Sequence, residues 1–312
     1  MSLSITPKLI IAAAKKRGWH VTIINESCSL YRLDLPGGDC HYLKGISSVK
    51  SSAVNDLIAD RKDLFHDLLG MLNIRTPDTM LYTGDLQAAY DFLEKHKTVV
   101  VKPTDQSHGK GITINITTTE LLEEALQYAA GFGKKFLLQQ QVEGDDYRLL
   151  FIGGKLAAAA IRKPAYIVGD GVHTTHELIA IENDSERRSD GYQEVLTTID
   201  LPGVVRYLGP KIHTTPAMGE EVRVIGMANI GRGGACIDVT DTVNPTLVKQ
   251  AKKVIDHFRI GVCGVDFLMS KEGEAYLIEI NTRPSLGLHE FPFKGQARNT
   301  PDKFLDWLTQ AN

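Results

Sequence analysis

Along the chain, apolar positions recur sometimes at helical and sometimes at alternating spacing, and the switches between the two periods mark out its elements. After Pro7, Lys8–Arg17 has helix-forming composition and stops at Gly18, while Trp19–Asn25 alternates like a strand. Ser29–Leu35 and Cys40–Leu43 flank Pro36-Gly37-Gly38-Asp39, whose glycines supply the positive φ that a hairpin turn demands. Ala53–Leu72 carries Val54, Leu57, Ile58, Leu64, Phe65, Leu68 and Leu69 at helical spacing and is closed by Pro77, which predicts one or two helices. Strand Thr98–Val101, a Gly-containing loop Thr104–Gly111, strand Ile112–Ile116, helix Thr119–Ala130 and strand Lys135–Gln140 then form an alternating α/β unit. Leu149–Ile152, Gly153-Gly154 and Leu156–Ile161 read as a hairpin, and the polar stretch from Lys163 to Leu208 reads as a lid or binding loop. The last unit comprises strand Glu221–Met227, Asn229–Gly234, helix Pro245–Phe258, and strands Val262–Met269 and Ala275–Asn281 joined by a turn at Lys271–Glu274.

A chain of 312 residues with 43% hydrophobic content is longer than one average domain requires, so two or three lobes are expected. Its formal charge of −3 gives no bulk attraction to nucleic acid or an anionic membrane, and leaves room for a local basic pocket. Cys28, Cys40, Cys236 and Cys263 lie far apart with no C-x-x-C pair, which suggests neither a zinc site nor a disulfide framework. No stretch approaches the ~20 apolar residues that span a bilayer, and Met1–Ile10 lacks the pattern of a signal peptide. The expectation is a soluble, cytoplasmic protein with small-molecule partners.

Local chemistry is most informative at the final hairpin. With its turn centred between Glu272 and Gly273, position 266 pairs across from position 279, so Asp266 and Glu279 share a face and Asn281 joins them. Three oxygen-bearing side chains on one face are costly to bury unless a cation or hydrogen-bond donors offset their desolvation. Hard oxygen ligands beside phosphates suit Mg²⁺. A solvated outer face with alternating polar residues fits the same pairing, and pairing alone does not choose. Lys102 ends the apolar run Val99–Val101 before Pro103, where an ammonium can meet a phosphate, although a lysine at a strand end is more often a solvated terminus. Gly109 and Gly111 offer close backbone approach to a polyphosphate, a weak signal alone, and no Walker A sequence occurs. The segment Gln139–Arg148 has the look of an interdomain hinge, whose backbone can meet an adenine edge while Asp146 accepts from ribose hydroxyls. Locally, an acidic turn with Arg148 in a surface ion pair is the plainer reading.

The ordered set Val99–Pro103, Gly109–Gly111, Glu143–Arg148, Gly169–Gly171, Gly264–Asp266 and Glu279–Asn281 resembles the ATP-grasp superfamily. The likeness is greatest to the ATP-grasp modules of cyanophycin synthetase and of the bifunctional glutamate–cysteine ligase/glutathione synthetase. It rests on Arg162-Lys163-Pro164-Ala165, Val168-Gly169-Asp170-Gly171, Ile237-Asp238-Val239-Thr240-Asp241, Val262–Asp266 and His289–Gly295. The resemblance implies an α/β (α+β) ATP-grasp fold, two α/β lobes clasping ATP beside a short N-terminal αβ lobe. It divides the chain at residues 1–90 (N-terminal lobe and linker helices), 91–163 (nucleotide-clamping subdomain) and 164–312 (C-terminal subdomain with the metal site).

The same resemblance implies an ATP-dependent carboxylate–amine ligase acting through an acyl phosphate on an amino acid or short peptide. ATP and Mg²⁺, with Mn²⁺ as the other candidate, are the implied cofactors, and a homodimer is left open. Lys62 and Lys102 match phosphate-binding lysines, Gln139, Gln140 and Val142 the adenine hinge, and Asp146 the ribose acceptor. Asp266, Glu279 and Asn281 match the metal ligands, and Arg162 matches an arginine near the phosphates or the acceptor carboxylate. Arg148, Arg162, Arg232 and His289 are candidate substrate-carboxylate contacts. The glutathione and cyanophycin enzymes tend to carry an arginine where this chain has Ile225 and a small hydroxyl residue where it has Arg232, so Arg232 either selects a different acceptor or is the solvated arginine of a surface turn. Glutathione synthetase proper and a non-catalytic ATP-binding regulator are the alternatives.

Overall fold

The computed structural model describes residues 3–104, 111–133, 135–186, 188–189, 196–226, 228 and 230–310. The chain opens with α1 (Ile5–Lys16) and an antiparallel sheet of β1 (His20–Asn25), β2 (Leu30–Asp34) and β3 (Cys40–Lys44), with β2 central. α1 buries Ile10, Ile11, Ala13 and Ala14 against Tyr31, Leu33 and Leu43 of that sheet. α2 (Ala53–Asp60) and α3 (Lys62–Met71) follow, and the expected one or two helices are two because Arg61 between them is extended, with φ −109° and ψ 90°.

β4 (Thr79–Tyr82), α4 (Leu86–His96), β5 (Val99–Pro103), β6 (Thr113–Ile116), α5 (Thr119–Ala130) and β7 (Phe136–Gln140) form the small lobe. Its sheet has the order β4-β7-β5-β6. Strand alternation turns Val99, Val101 and Leu138 toward Ala89, Leu93, Leu122 and Ala125 of the two helices. It therefore leaves Lys102 and Gln139 on the opposite face. The strand β4 and helix α4 went unread in the sequence, although Asp85 capping Leu86, with Ala89 and Leu93 buried at helical spacing, is the signal that marks α4.

β8 (Asp145–Ile152) and β9 (Lys155–Lys163) form the expected hairpin, longer at both ends than the apolar run. From there the chain enters a folded lid of β10 (Tyr166–Val168), α6 (Thr175–Asn183), β11 (Arg188–Ser189), β12 (Leu196–Thr197), α7 (Leu201–Leu208) and β13 (Glu221–Arg223). This polar stretch is more than a loop, because Ala165, Ile167, Leu178, Ile179, Ile199, Val204, Val224 and Ile225 give it a core of its own. The strand expected over Glu221–Met227 ends at Arg223 for the same reason, as Val224 and Ile225 drop into that core; Met227 lies outside the described residues. On the small-lobe side, Arg206 of α7 donates to Tyr128 Oη of α5 at 3.0 Å and lies over its ring, so the lid rests on the small lobe.

The chain returns as β14 (Ala235–Asp238), α8 (Pro245–Phe258), β15 (Val262–Met269), β16 (Ala275–Asn281), α9 (Gly287–Glu290) and α10 (Thr300–Thr309). Here β14, β9, β8, β15 and β16 make one antiparallel sheet in that order. The expected boundaries at 90/91 and 163/164 therefore do not coincide with the sheets: β4 pairs into the small lobe, and β8 and β9 are inner strands of the C-terminal sheet. One face of this sheet packs Leu149, Phe151, Cys263, Val265, Phe267, Leu277 and Ile280 on α8. At one end of the other face, Leu150, Ile152, Ala158 and Val262 meet α1 and α10, where Arg17 bridges to Asp302 and Asp306 at 2.7 Å each. The remainder of that face is charged and open to the cleft. None of the described helices is long and apolar enough to cross a membrane.

Gly144 sits where the chain passes from small lobe to C-terminal sheet, and a Cβ there would lie 2.1 Å from the Met269 carbonyl oxygen. Gly144→Ala should destabilise by about 1–3 kcal/mol through overpacking, since backbone cannot yield as a side chain does. Gly70→Ala, in α3 with nothing within 4 Å of the new methyl, should instead stabilise by about 0.5–1 kcal/mol. Thermal unfolding of the two variants checks both signs.

Candidate active site

A buried ionic ladder runs across the open face of the C-terminal sheet. In the antiparallel register Asp146 stands opposite Arg162, Arg148 opposite Asp266, and Asp266 opposite Glu279, so all five side chains share one face. Asp266 is 3% exposed. Arg148 grips it through Nε and through Nη2 at 2.8 Å, and Arg162 Nη2 reaches it at 3.0 Å. Arg162 also donates to Asp146 through Nε at 2.9 Å and Nη2 at 2.6 Å. Burial works to neutralise Asp266, but the two guanidinium groups more than offset it and hold its carboxyl below the usual range. Burial likewise opposes the Arg162 charge, and Asp266 and Asp146 overcome it, raising its pKa. Asp146 goes the other way: burial and the charge of Asp266 push it up against the pull of Arg162.

Glu279 reaches this face only because the sheet is irregular. Near the turn the register is Met269↔Ala275 and Phe267↔Leu277, centred on Glu272 rather than between Glu272 and Gly273. Continued without a break, it would set Ile278 opposite Asp266 and turn Glu279 into the core. A bulge at Ile278 restores the pairing Asp266↔Glu279, so that Leu277 and Ile280, three residues apart, both remain in the core. The Glu279 carboxyl then lies within hydrogen-bonding reach of Asp266, and Asn281 Nδ2 donates to Glu279 Oε1 at 3.3 Å. Two adjacent carboxylates need a shared proton or a cation between them. The donor set, two carboxylates and an amide oxygen, fits a hard cation that takes its other ligands from phosphate and water. Among the described residues no group of three or more His, Cys, Asp or Glu is arranged to hold a metal.

The opposing wall comes from the small lobe and α3. The Lys62 N–H lies 3.4 Å from the Thr104 carbonyl oxygen, which docks the start of α3 on the end of β5. Lys102 is buried and donates to Gln139 Oε1 at 2.8 Å. Burial pushes its ammonium down to about 8, with Glu279 opposing the shift and Lys62 adding to it. Lys62, Lys102 and Glu279 thus feel one another across the cleft, although the three lie on different elements. Four cations, Arg148, Arg162, Lys62 and Lys102, face three carboxylates, Asp146, Asp266 and Glu279, a surplus of one positive charge suited to an anion.

The other expected residues are less uniform. Gly109 lies outside the described residues. At Gly111 the space a Cβ would take is filled by Pro103 and Phe132, at 2.8 and 3.0 Å, so packing already requires this glycine. Gln139 points to Lys102 rather than along the hinge, and Gln140 Oε1 accepts from the Asp78 N–H at 3.3 Å. Val142 and Glu143 make no backbone hydrogen bond among the described residues, which leaves hinge donors and acceptors for a ligand edge. Arg148 is no surface ion pair: its guanidinium is committed to Asp266, a role that its strand pairing could have signalled. Arg232 forms a half-buried pair with Asp200, at 2.9 Å, that joins the Ile230–Arg232 turn to the start of α7. His289 is buried at 3% exposure, and burial pushes it down to about 3, so it offers no charge for a carboxylate. Burial also pushes the Cys236 and Cys263 thiols up to about 12, which removes both as nucleophiles.

Comparison with known proteins agrees with this geometry. The ATP-grasp domain model matches residues 213–286, a span that includes Asp266, Glu279 and Asn281. The glutathione biosynthesis bifunctional protein GshAB of Clostridium perfringens is 30% identical over 320 residues, 98% of this chain and 41% of that protein. The cyanophycin synthetase of Crocosphaera subtropica is 32% identical over 242 residues, 74% of this chain and 28% of that one. The crystal structure of a bifunctional glutathione synthetase from Pasteurella multocida superposes with a TM-score of 0.70 at 26% identity, over 98% of this chain and 43% of that chain. The chain therefore spans less than half the length of these relatives. In sequence along nearly its whole length, and in fold, it belongs to the ATP-grasp superfamily.

Proposed function

We propose that the chain is an ATP-dependent carboxylate–amine ligase whose substrates are amino acids or short peptides. The observation that carries the proposal is Lys102, a buried ammonium within electrostatic reach of both Glu279 and Lys62. An ammonium so placed is unfavourable in isolation and becomes favourable when polyphosphate oxygens replace its lost hydration. The two relatives are named for glutathione biosynthesis and cyanophycin synthesis, which supports amide formation as the chemistry.

On this reading Lys62 and Lys102 hold the phosphates of ATP, and the unpaired Val142 backbone meets the base. Asp266, Glu279 and Asn281 would hold a divalent cation, which supplies charge neutralisation between the phosphates when bound. A substrate carboxylate oxygen attacks the γ-phosphorus and ADP leaves, giving an acyl phosphate. An amine nitrogen then attacks the acyl carbon, phosphate leaves with the C–O bond electrons, and the amine loses a proton. Arg162 uses Nε and Nη2 on Asp146 and Asp266, and its Nη1 has no partner among the described residues. That free edge steadies the acyl phosphate and the oxyanion formed on amine attack. No covalent enzyme intermediate is needed, and rate enhancement comes from positioning and charge.

Acceptor choice is assigned to the lid. Ile225 is buried in the lid core, and Arg232 must exchange Asp200 for a substrate anion, so an acidic or larger acceptor suits this site better than glycine.

Nucleotide binding, turnover and acceptor choice each test the proposal. Lys102→Met should weaken ATP binding, read by calorimetry. In the unmutated protein ATP affinity should fall as pH rises through about 8, because only the ammonium form attracts phosphate and burial favours the neutral amine. The fall should be about fivefold between pH ~8 and ~9, and absent in the variant. Glu279→Gln should lower ATP-dependent phosphate release, in a screen of amino-acid pairs, by about 100-fold or more while leaving the melting temperature near that of the parent. Turnover with γ-glutamylcysteine and glycine should be weak, far below the order of 10 per second of ordinary enzymes, and Arg232→Thr should shift acceptor preference; fast glutathione synthesis would overturn the acceptor assignment.

A further inference from the structure

His66 lies one helical turn beyond Lys62 on α3, and its hydrogen bonds fix which ring nitrogen carries the proton. Thr79 Oγ1 donates to the Pro77 carbonyl at 2.9 Å, so that hydroxyl must accept from Gln139 Nε2, 2.8 Å away. The other end of the same amide, Oε1, faces the Lys102 ammonium at 2.8 Å, and an ammonium only donates. Both contacts orient the Gln139 amide the same way. Its Nε2 therefore also donates to His66 Nε2, 3.2 Å away, which must be a bare acceptor. Burial and then the charges of Lys102 and Lys62 push His66 down to about 3, so the ring is neutral and its single proton sits on Nδ1. That Nδ1 is buried and has no partner among the described residues. An unpaired buried N–H donor is costly unless something binds to it.

We propose that His66 is a nucleotide-binding residue of this cleft, its Nδ1–H donating to a phosphate oxygen of ATP beside Lys62 and Lys102. The inference rests on the nucleotide reading of the site, and supplies what a third lysine would not: a donor that adds no charge where two cations already repel. The chain Pro77–Thr79–Gln139 becomes a positioning relay that holds the ring in one tautomer and ties it to Lys102. Any loss of the Gln139 amide would free the ring to turn its proton to Nε2.

The test uses the full chain labelled with ¹⁵N in its histidines. In the free protein the His66 ring should give a protonated-type Nδ1 and a bare-type Nε2 signal, and saturating ATP or ADP, but not adenosine, should move the Nδ1 signal. His66→Gln, whose amide reaches the Nε2 position, should weaken ATP binding about tenfold, and His66→Asn, whose amide nitrogen overlays Nδ1, should restore it to within about threefold of the parent. An Nε2–H tautomer in the free protein, an Nδ1 signal unmoved by ATP, or equal losses in the two variants would each overturn the assignment. The tautomer is read without nucleotide, so it separates this inference from the functional reading: a parent protein that binds no ATP would sink the phosphate contact together with that reading, while a wrong tautomer would sink the inference alone.

Discussion

The clamp of Arg148 and Arg162 on Asp266 is the constraint on which the site depends. A carboxylate at 3% exposure is stable only because two guanidinium groups replace its water, and removing either would leave it half compensated, where complete loss of the partner in comparable buried pairs costs about 3–5 kcal/mol. Each arginine comes from a different strand of one hairpin, so the clamp also pins β8 and β9 against β15. Gly264 makes room for it: a Cβ there would lie 2.9 Å from Arg148 Cδ. The charge chemistry thus reaches back into the choice of a glycine in an otherwise apolar strand.

With Asp266 already satisfied by arginine, the negative charge that remains exposed to the cleft is largely that of Glu279, and it is offset by Lys102. The nucleotide-free cleft is therefore net positive. On the proposed reading a divalent cation has little electrostatic reason to settle there alone, and enters with the phosphates that reverse the sign. The lid contact of Arg206 with Tyr128 and the close packing of Gly226 on Ile114 and Tyr207 hold the lid against the small lobe.

The sequence was legible where one period ran long enough to dominate. Helices α5 and α8 and strands β15 and β16 have the expected bounds, because each helix buries a single stripe and each strand is a sustained apolar run bounded by turn residues. The bulge at Ile278 was not legible, since Leu277-Ile278-Glu279-Ile280 reads as an ordinary apolar run, and the right pairing of Asp266 with Glu279 emerged from a turn centre half a residue off. The lid's own core was hidden by composition: its residues are scattered over sixty positions and are held by Arg188, whose guanidinium donates to Glu182 and to the carbonyls of Thr197 and Gly233. α10 went unread although Phe304, Leu305 and Leu308 carry its buried stripe, because its partner surface, α1, lies nearly the whole chain away. The clamp of Arg148 on Asp266 and the contact of His66 with Gln139 escaped because the partners are 118 and 73 residues distant.

The start of α3 shows how a departure from the expected pattern is absorbed. Arg61 stands at the N-cap of α3, and a cation at a helix N-terminus opposes the helix dipole. Asp63, two residues on in the first turn, pairs with Arg61 at 2.6 Å, and that guanidinium holds its carboxyl below the usual range. The helix end therefore retains its favourable negative charge, displaced from the cap to the first turn. Lys62, between Arg61 and Asp63, adds its positive charge to the cleft, where it lowers the pKa values of Lys102 and His66.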